Sequence, residues 1–232
     1  MLTGFKNAIS FLTIVRLKSD NFDAKEALRF FPVVGLLIGS FVFLISLLDT
    51  AITPLLMLIF SVIITGGLHL DGVADTADAY FSGRSKDVML EIMKDSRIGT
   101  MGVLALILIL ISKLYAFENI KESMAIILPF AYSRISMLYL IRDLKYLRDD
   151  GTGKTFFGRL ETKDFTLAYI IYFLSIFGGF GFFIIFNTVY FILLTLLKSY
   201  HLKKIGGATG DIIGASCEVI ETVLLLTGVL IA

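Results

Sequence analysis

The chain has 232 residues, 56% of them hydrophobic, with a formal net charge of +1 and a mean hydropathy of +0.85. These values exclude an ordinary soluble domain and point to a membrane protein. The near-neutral charge gives no sign of nucleic-acid binding, and the single cysteine, Cys217, excludes an internal disulfide.

The opening MLTGFKNAISFLTIVRLKSD alternates apolar and polar residues at helical spacing. It lacks a charged start followed by a small-residue cleavage site, so it reads as an amphipathic helix lying on the membrane, not as a cleavable signal peptide. Runs of little or no charge, close to the roughly 20 residues that a spanning helix needs, occur near 30–48, 52–70, 99–117, 123–141 and 212–232. From Phe165 to Leu197 there is no charge at all. One straight helix of that length would reach about 50 Å and overshoot a hydrocarbon core of about 30 Å. The FGGFG at 177–181 offers a break, and we read two short spans there. The expected fold is an all-α polytopic membrane helix bundle of about seven spans, a single domain over residues 1–232 with no tandem repeat.

Lys and Arg concentrate before residue 30 and in 71–98, 142–164 and 198–210. Only Lys113 and Lys121, assigned to an outer loop, and Arg134, inside a span, fall elsewhere. By the positive-inside rule, the N-terminus and every sizeable polar loop face the cytoplasm.

The segment HLDGVADTADAY, residues 69–80, follows the second apolar run directly. On a helix Asp71, Asp75 and Asp78 fall within an arc of about 60°. Carboxylates held that close raise one another's pKa unless a cation neutralises them, and a hard divalent ion such as Mg²⁺ suits oxygen donors. The small residues Gly72, Ala74, Thr76, Ala77 and Ala79 leave room for a ligand, whereas a solvated helix start favoured by the macrodipole is the plainer account. In KDVMLEIMKDSRIGT, residues 86–100, Asp87, Glu91 and Asp95 recur at i+4 and could bring a second acidic face to the same ion, with pairing of Glu91 to Lys94 or Asp95 to Arg97 as the competitor. His69 projects away from the aspartates and reads as structural; His201 reads as an ordinary interfacial residue.

Two further loops suit an anion. LRDDGTGKTFFGR, 147–159, joins Arg148, Lys154 and Arg159 to three glycines, and KKIGGATGDIIGA, 203–215, sets a Gly-rich turn at the start of the last span, with Asp211 as a candidate N-cap. GTGKT is not a Walker A loop, because Arg148 stands where a glycine is required. Arg134 and Glu218 lie at matching depth, so Arg134 is expected to pair with Glu218 or Glu221.

GGLHLDGVADTADA at 66–79, EIMKDSRIGTMGVLAL at 91–106, RDDGTG at 148–153 and GGATGDIIGA at 206–215 resemble, in order and spacing, the cobalamin synthase (adenosylcobinamide-GDP ribazoletransferase) family. The opening ISFLTIVRL is similar to that family's N-terminal segment. The resemblance implies a cell-membrane enzyme that joins α-ribazole or its 5'-phosphate to adenosylcobinamide-GDP, releasing GMP, with Mg²⁺. It implies Asp71, Asp75 and Asp78 as metal ligands, completed by Asp95 and Glu91, and Asp78 or Asp95 as the base. Arg148, Lys154, Arg97 and the turn Gly206, Gly207, Thr209 and Gly210 would hold phosphate groups, with Arg148 acting at the reacting centre and Asp211 capping the last helix or reaching the metal. Two rivals are a membrane phosphotransferase using a CDP-activated donor and, from a different class, a divalent-cation transporter.

Overall fold

The computed structural model describes residues 2–19, 21–149, 151–158 and 160–231, with Thr152 described by its backbone. The described residues form ten α-helices: α1 (Leu2–Leu12), α2 (Ala24–Ser46), α3 (Thr53–Ile64), α4 (Leu68–Phe81), α5 (Lys86–Ile92), α6 (Thr100–Asn119), α7 (Ser123–Asp143), α8 (Thr166–Leu174), α9 (Phe180–Lys204) and α10 (Gly210–Ile231). Among the described residues there is no β-strand, only an isolated bridge between Tyr146 and Ala208. The protein is a multi-pass membrane helix bundle. Five helices, α2, α6, α7, α9 and α10, are long and apolar enough to cross a bilayer, and α3 with α4 passes the same test only as a pair bent by 85°.

That bend corrects the expectation of a straight span over 52–70. Gly66 and Gly67 take φ of 61° and 69°, a left-handed conformation that costs glycine nothing, and they end the helix at Ile64. The 12 residues of α3 rise about 18 Å, short of the hydrocarbon thickness. Beyond the bend α4 lies across the polar end of the bundle, outside the spanning segments. It touches the N-terminus of α6 through Asp78, the N-terminus of α10 through Gly72, and the last turns of α9 through Tyr80. The approach to α10 requires glycine: a Cβ on residue 72 would stand 2.6 Å from the Asp211 carbonyl oxygen.

The segment 165–197 is broken as expected, but of its two expected short spans only α9 is long and apolar enough to cross a bilayer. Its break falls at Gly179, where the 3₁₀ turn Ser175–Gly178 gives way to α9. The nine residues of α8, about 14 Å long, do not cross a bilayer alone. The chain nevertheless leaves α7 and ends α9 at one end of the bundle, because Leu147 N donates to Ala208 O at 3.0 Å and Ala208 N to Lys145 O at 2.9 Å. The start of α8 is tied to the start of α2 by Asp164, 2% exposed, which accepts from Arg29 Nε at 2.6 Å. Helix α1 has the expected two-sided character, burying Gly4, Ala8 and Leu12 against α2 and leaving Leu2 exposed.

Inside the bundle two acids and two bases meet. Glu221 of α10 accepts from Arg134 of α7, as its depth led us to expect, and from Lys113 of α6 at 2.6 Å. Lys113 also donates to Glu218 at 2.5 Å. Lys113 is 3% exposed, so its assignment to an outer loop is corrected: α6 continues to Asn119 and turns this lysine inward. Each charge would be costly alone in an apolar interior, and together they neutralise one another while joining three helices. Glu221→Gln should therefore weaken both cations' pairing and lower the thermal midpoint in detergent sharply, in keeping with a loss of about 3–5 kcal/mol for breaking a buried pair. Arg134→Met in the same chain should recover part of that loss; an unchanged midpoint for the single variant would show that the network contributes nothing to stability.

Candidate active site

Because α4 starts directly after the bend, its first two turns face the N-terminus of α10. Asp71, Asp75 and Asp211 come within electrostatic reach of one another there, together with Arg148 from the loop after α7. Burial, then the charges of Asp71 and Asp211, lift the Asp75 carboxyl to about pH 7, with Arg148 opposing them only in part. Arg148 Nη2 lies 2.6 Å from Asp211 Oδ2, yet its Nε and Nη2 hydrogens are not aligned on any acceptor. Arg148 is thus ion-paired to Asp211, with its buried Nε lacking an acceptor.

Two hollows meet at this point. One of about 100 Å³ is lined by His69, Asp71, Gly153, Gly210, Asp211 and Gly214, among others. A larger cleft of about 600 Å³ runs between the Ile14–Arg16 segment, the Gly66–Gly67 bend and α6. Phe11, Leu68 and Asp71 line both. An acidic cavity at the start of a long helix therefore shares a wall with a space large enough for an organic group.

His69 corrects the reading of that residue as remote from the aspartates. It is 2% exposed, lines the smaller cavity beside Asp71, and neither ring nitrogen has a hydrogen-bond partner. Its Nδ1 lies 3.9 Å from Glu218, which links the site to the buried charge network. Helical phase alone hides this: His69 sits in the first turn of α4, where a cavity at the helix end is reached from both faces. Its position two residues before Asp71 was the available signal.

Other expected residues have different work. Asp78 accepts the backbone N–H of Gly99 at 2.6 Å and of Gly102 at 2.8 Å, so it caps α6 from outside, satisfying two donors at that helix's start. Asp95 lies beyond the end of α5 and is held by Arg97 through both carboxylate oxygens, which keeps its carboxyl at about 2. Arg97 is correspondingly committed to Asp95 at the surface. Glu91 and Asp87 are exposed on α5, and the second acidic face does not converge on the first. Lys154 bonds the Asp149 carbonyl of its own loop, and Arg159 and Asp150 lie outside the described residues.

The Gly-rich turn is likewise spent mainly on packing. Gly206 N donates to His201 O, Ala208 N to Lys145 O, and a Cβ on Gly207 would meet Lys145 O at 2.3 Å. Thr209 caps α10, accepting from Ile212 N at 3.3 Å, so Asp211 is a first-turn residue and not the N-cap. Of this turn, Gly210 faces the smaller cavity.

No three Asp, Glu, His or Cys side chains among the described residues converge as a ready metal cage. Mg²⁺ does not require one, since it is commonly held by one or two carboxylates with waters and substrate phosphates completing the shell. The oxygen donors of Asp71 and Asp211, beside an Asp75 that resists ionisation because of burial and its neighbouring carboxylates, suit such an ion.

Residues 4–229 match the family described as cobalamin-5-phosphate synthase. The adenosylcobinamide-GDP ribazoletransferase of Alkaliphilus metalliredigens (strain QYMF) is 37% identical, the alignment covering 98% of this chain and 97% of that protein. The enzyme of the same name from Clostridium acetobutylicum is 36% identical over 94% of this chain and 92% of its own, and that from Caldanaerobacter subterraneus subsp. tengcongensis 34% identical over 94% of each. No solved structure matches. With the acidic cavity, the bent second apolar helix and nearly the whole length in register, this chain belongs to the cobalamin-5-phosphate synthase family.

Proposed function

We propose that the chain is an adenosylcobinamide-GDP ribazoletransferase, with its active site at the α4–α10 end of the bundle, facing the cytoplasm of a cell membrane. The single observation that supports the location is the gathering of Asp71, Asp75 and Asp211 with Arg148, beside a cavity that Asp71 and Asp211 line and that adjoins a larger cleft. In the reaction a hydroxyl of α-ribazole, or of its 5'-phosphate, attacks the phosphorus attached to cobinamide. The new P–O bond forms as the bond to the second phosphate breaks, and GMP leaves with that phosphate.

Asp71 and Asp211 are the residues we assign to Mg²⁺, which when bound would neutralise charge on the diphosphate. Asp75, with a proton affinity matched to neutral pH, takes the hydroxyl proton. Arg148, ion-paired to Asp211, brings its charge to a phosphate oxygen, and His69 offers a hydrogen bond to substrate from the cavity wall. Neither Asp78, capping α6, nor Asp95, bound by Arg97, is retained as the base. Cation transport is disfavoured because the intramembrane acids Glu218 and Glu221 are already neutralised by Lys113 and Arg134.

The direct test is purified protein with adenosylcobinamide-GDP, α-ribazole and Mg²⁺, with chromatography of the corrinoid and nucleotide products; a protein inert with these but active on a CDP-linked donor would refute the assignment. Asp75→Asn should cut GMP release by roughly 10²–10⁴-fold, whereas Asp95→Asn should stay close to wild type. For the wild type, kcat/KM should rise with pH to a plateau as Asp75 loses its proton, with the midpoint below about 7 because the charge of bound Mg²⁺ favours the carboxylate.

Asp75→Asn should also stabilise the resting protein. The folded Asp75 holds its proton up to about 7 whereas the unfolded residue releases it near 3.8, so its contribution to stability declines as pH rises through that window. The gain in thermal midpoint on exchange to Asn should be larger at pH 8 than at pH 5. A gain independent of pH would show that the folded carboxyl is not perturbed.

A further inference from the structure

On the opposite side of α4 from the acidic cavity lies a second hollow, of about 290 Å³, which the reaction does not use. Its walls are α6 through Ala105, Leu108 and Ile109, and α9 through Leu197 and Tyr200; its floor is Val219 of α10. From Gly210 to Val219, α10 rises about 14 Å, the depth of one leaflet's share of a hydrocarbon core of about 30 Å. Both flanking helices are among those long and apolar enough to span, and Leu108 is 67% exposed at the edge of the hollow.

The polar groups along its wall are satisfied with one exception. Tyr80 Oη and His201 Nδ1 lie 2.9 Å apart, His201 Nε2 and Ser216 Oγ also 2.9 Å, and Ser216 donates to Ile212 O at 2.7 Å. Thr76, 7% exposed and lining the hollow, has a buried hydroxyl with no partner. A purely hydrocarbon occupant would leave that hydroxyl unbonded, at a cost comparable to a lost hydrogen bond. At the polar rim, Lys204 Nζ stands 6.0 Å from the centre of the Tyr80 ring, with Lys203 beside it in sequence. Apolar walls, one internal donor and a cationic rim follow one another in the order of an acyl chain, an ester carbonyl and a phosphate.

We propose that this hollow is a binding site for one anionic phospholipid of the leaflet on the α4 side. Its acyl chain lies between α6 and α9, its ester carbonyl accepts from Thr76, and its phosphate faces Lys204. The lipid backs the helix that carries Asp71 and Asp75, packing against Val73, Thr76, Ala77 and Tyr80 on the reverse face.

The test reads bound lipid and not catalysis, so it stands apart from the assignment of the reaction. Protein extracted in mild detergent is analysed by native mass spectrometry, then re-equilibrated with vesicles of phosphatidylcholine alone or mixed with phosphatidylglycerol. Wild type should retain one phospholipid per chain and prefer phosphatidylglycerol. Ala105→Phe, which fills the hollow, should lose the retained lipid while keeping its fold by circular dichroism. Lys204→Gln should retain lipid with its preference for phosphatidylglycerol reduced about fivefold, the effect of about 1 kcal/mol per basic residue. Equal lipid retention by wild type and Ala105→Phe would overturn the proposal. So would an Ala105→Phe protein whose lipid is unchanged but whose KM for α-ribazole rises, since the hollow would then take substrate.

Discussion

Four charges that cannot stand alone in hydrocarbon set the frame of this protein. Lys113, Arg134, Glu218 and Glu221 sum to zero, and each lies within hydrogen-bonding distance of an opposite charge. Because they come from α6, α7 and α10, neutralisation also fixes how those helices sit against one another. The ends of α6 and α10 that α4 then crosses are held at a set spacing. Glu218 further approaches His69, so the same network that joins the bundle also supports one wall of the cavity.

Over that frame, the acidic site is built at the expense of local stability. Asp75 keeps its proton to about pH 7 because burial and three neighbouring carboxylates outweigh one guanidinium. A protein selected for stability alone would place a neutral residue there, and the tension is consistent with a site shaped to receive positive charge. The two faces of α4 carry different duties: one presents Asp71 to the acidic cavity with Asp75 a turn further on, and the other presents Val73, Ala77 and Tyr80 to an apolar hollow. Asp78, on the same face as Asp71 and Asp75, fastens the helix to the start of α6.

How much of this was legible in the sequence depends on the kind of interaction. Asp71 and Asp75 could be read from spacing, because residues four apart on a helix share a face wherever that helix ends up. Arg134 could be assigned an acidic partner by depth alone. The duties of Asp78 and Asp95 could not: one carboxylate is taken by backbone donors 21 and 24 residues away, the other by an arginine two residues on, and spacing cannot choose between such partners and a metal ion. Lys113 was misplaced because a cation near a span's end normally reaches for water, and only the position of Glu218 and Glu221 turns it inward.

The sequence by itself determined the all-helical membrane architecture, the apolar segments and the gathering of acid after the second of them, since these follow from local composition and periodicity. Four motifs in order also indicated the family. Only the tertiary structure decided that Gly66 and Gly67 turn the chain through 85°, that α4 lies across three helix ends, and that Asp211 and Arg148 join Asp71 and Asp75. Most of those outcomes depend on contacts between separate elements of the chain, such as Tyr80 with His201 and Arg148 with Asp211, whose strength is set by packing distance and local dielectric and is written in no single stretch of the chain.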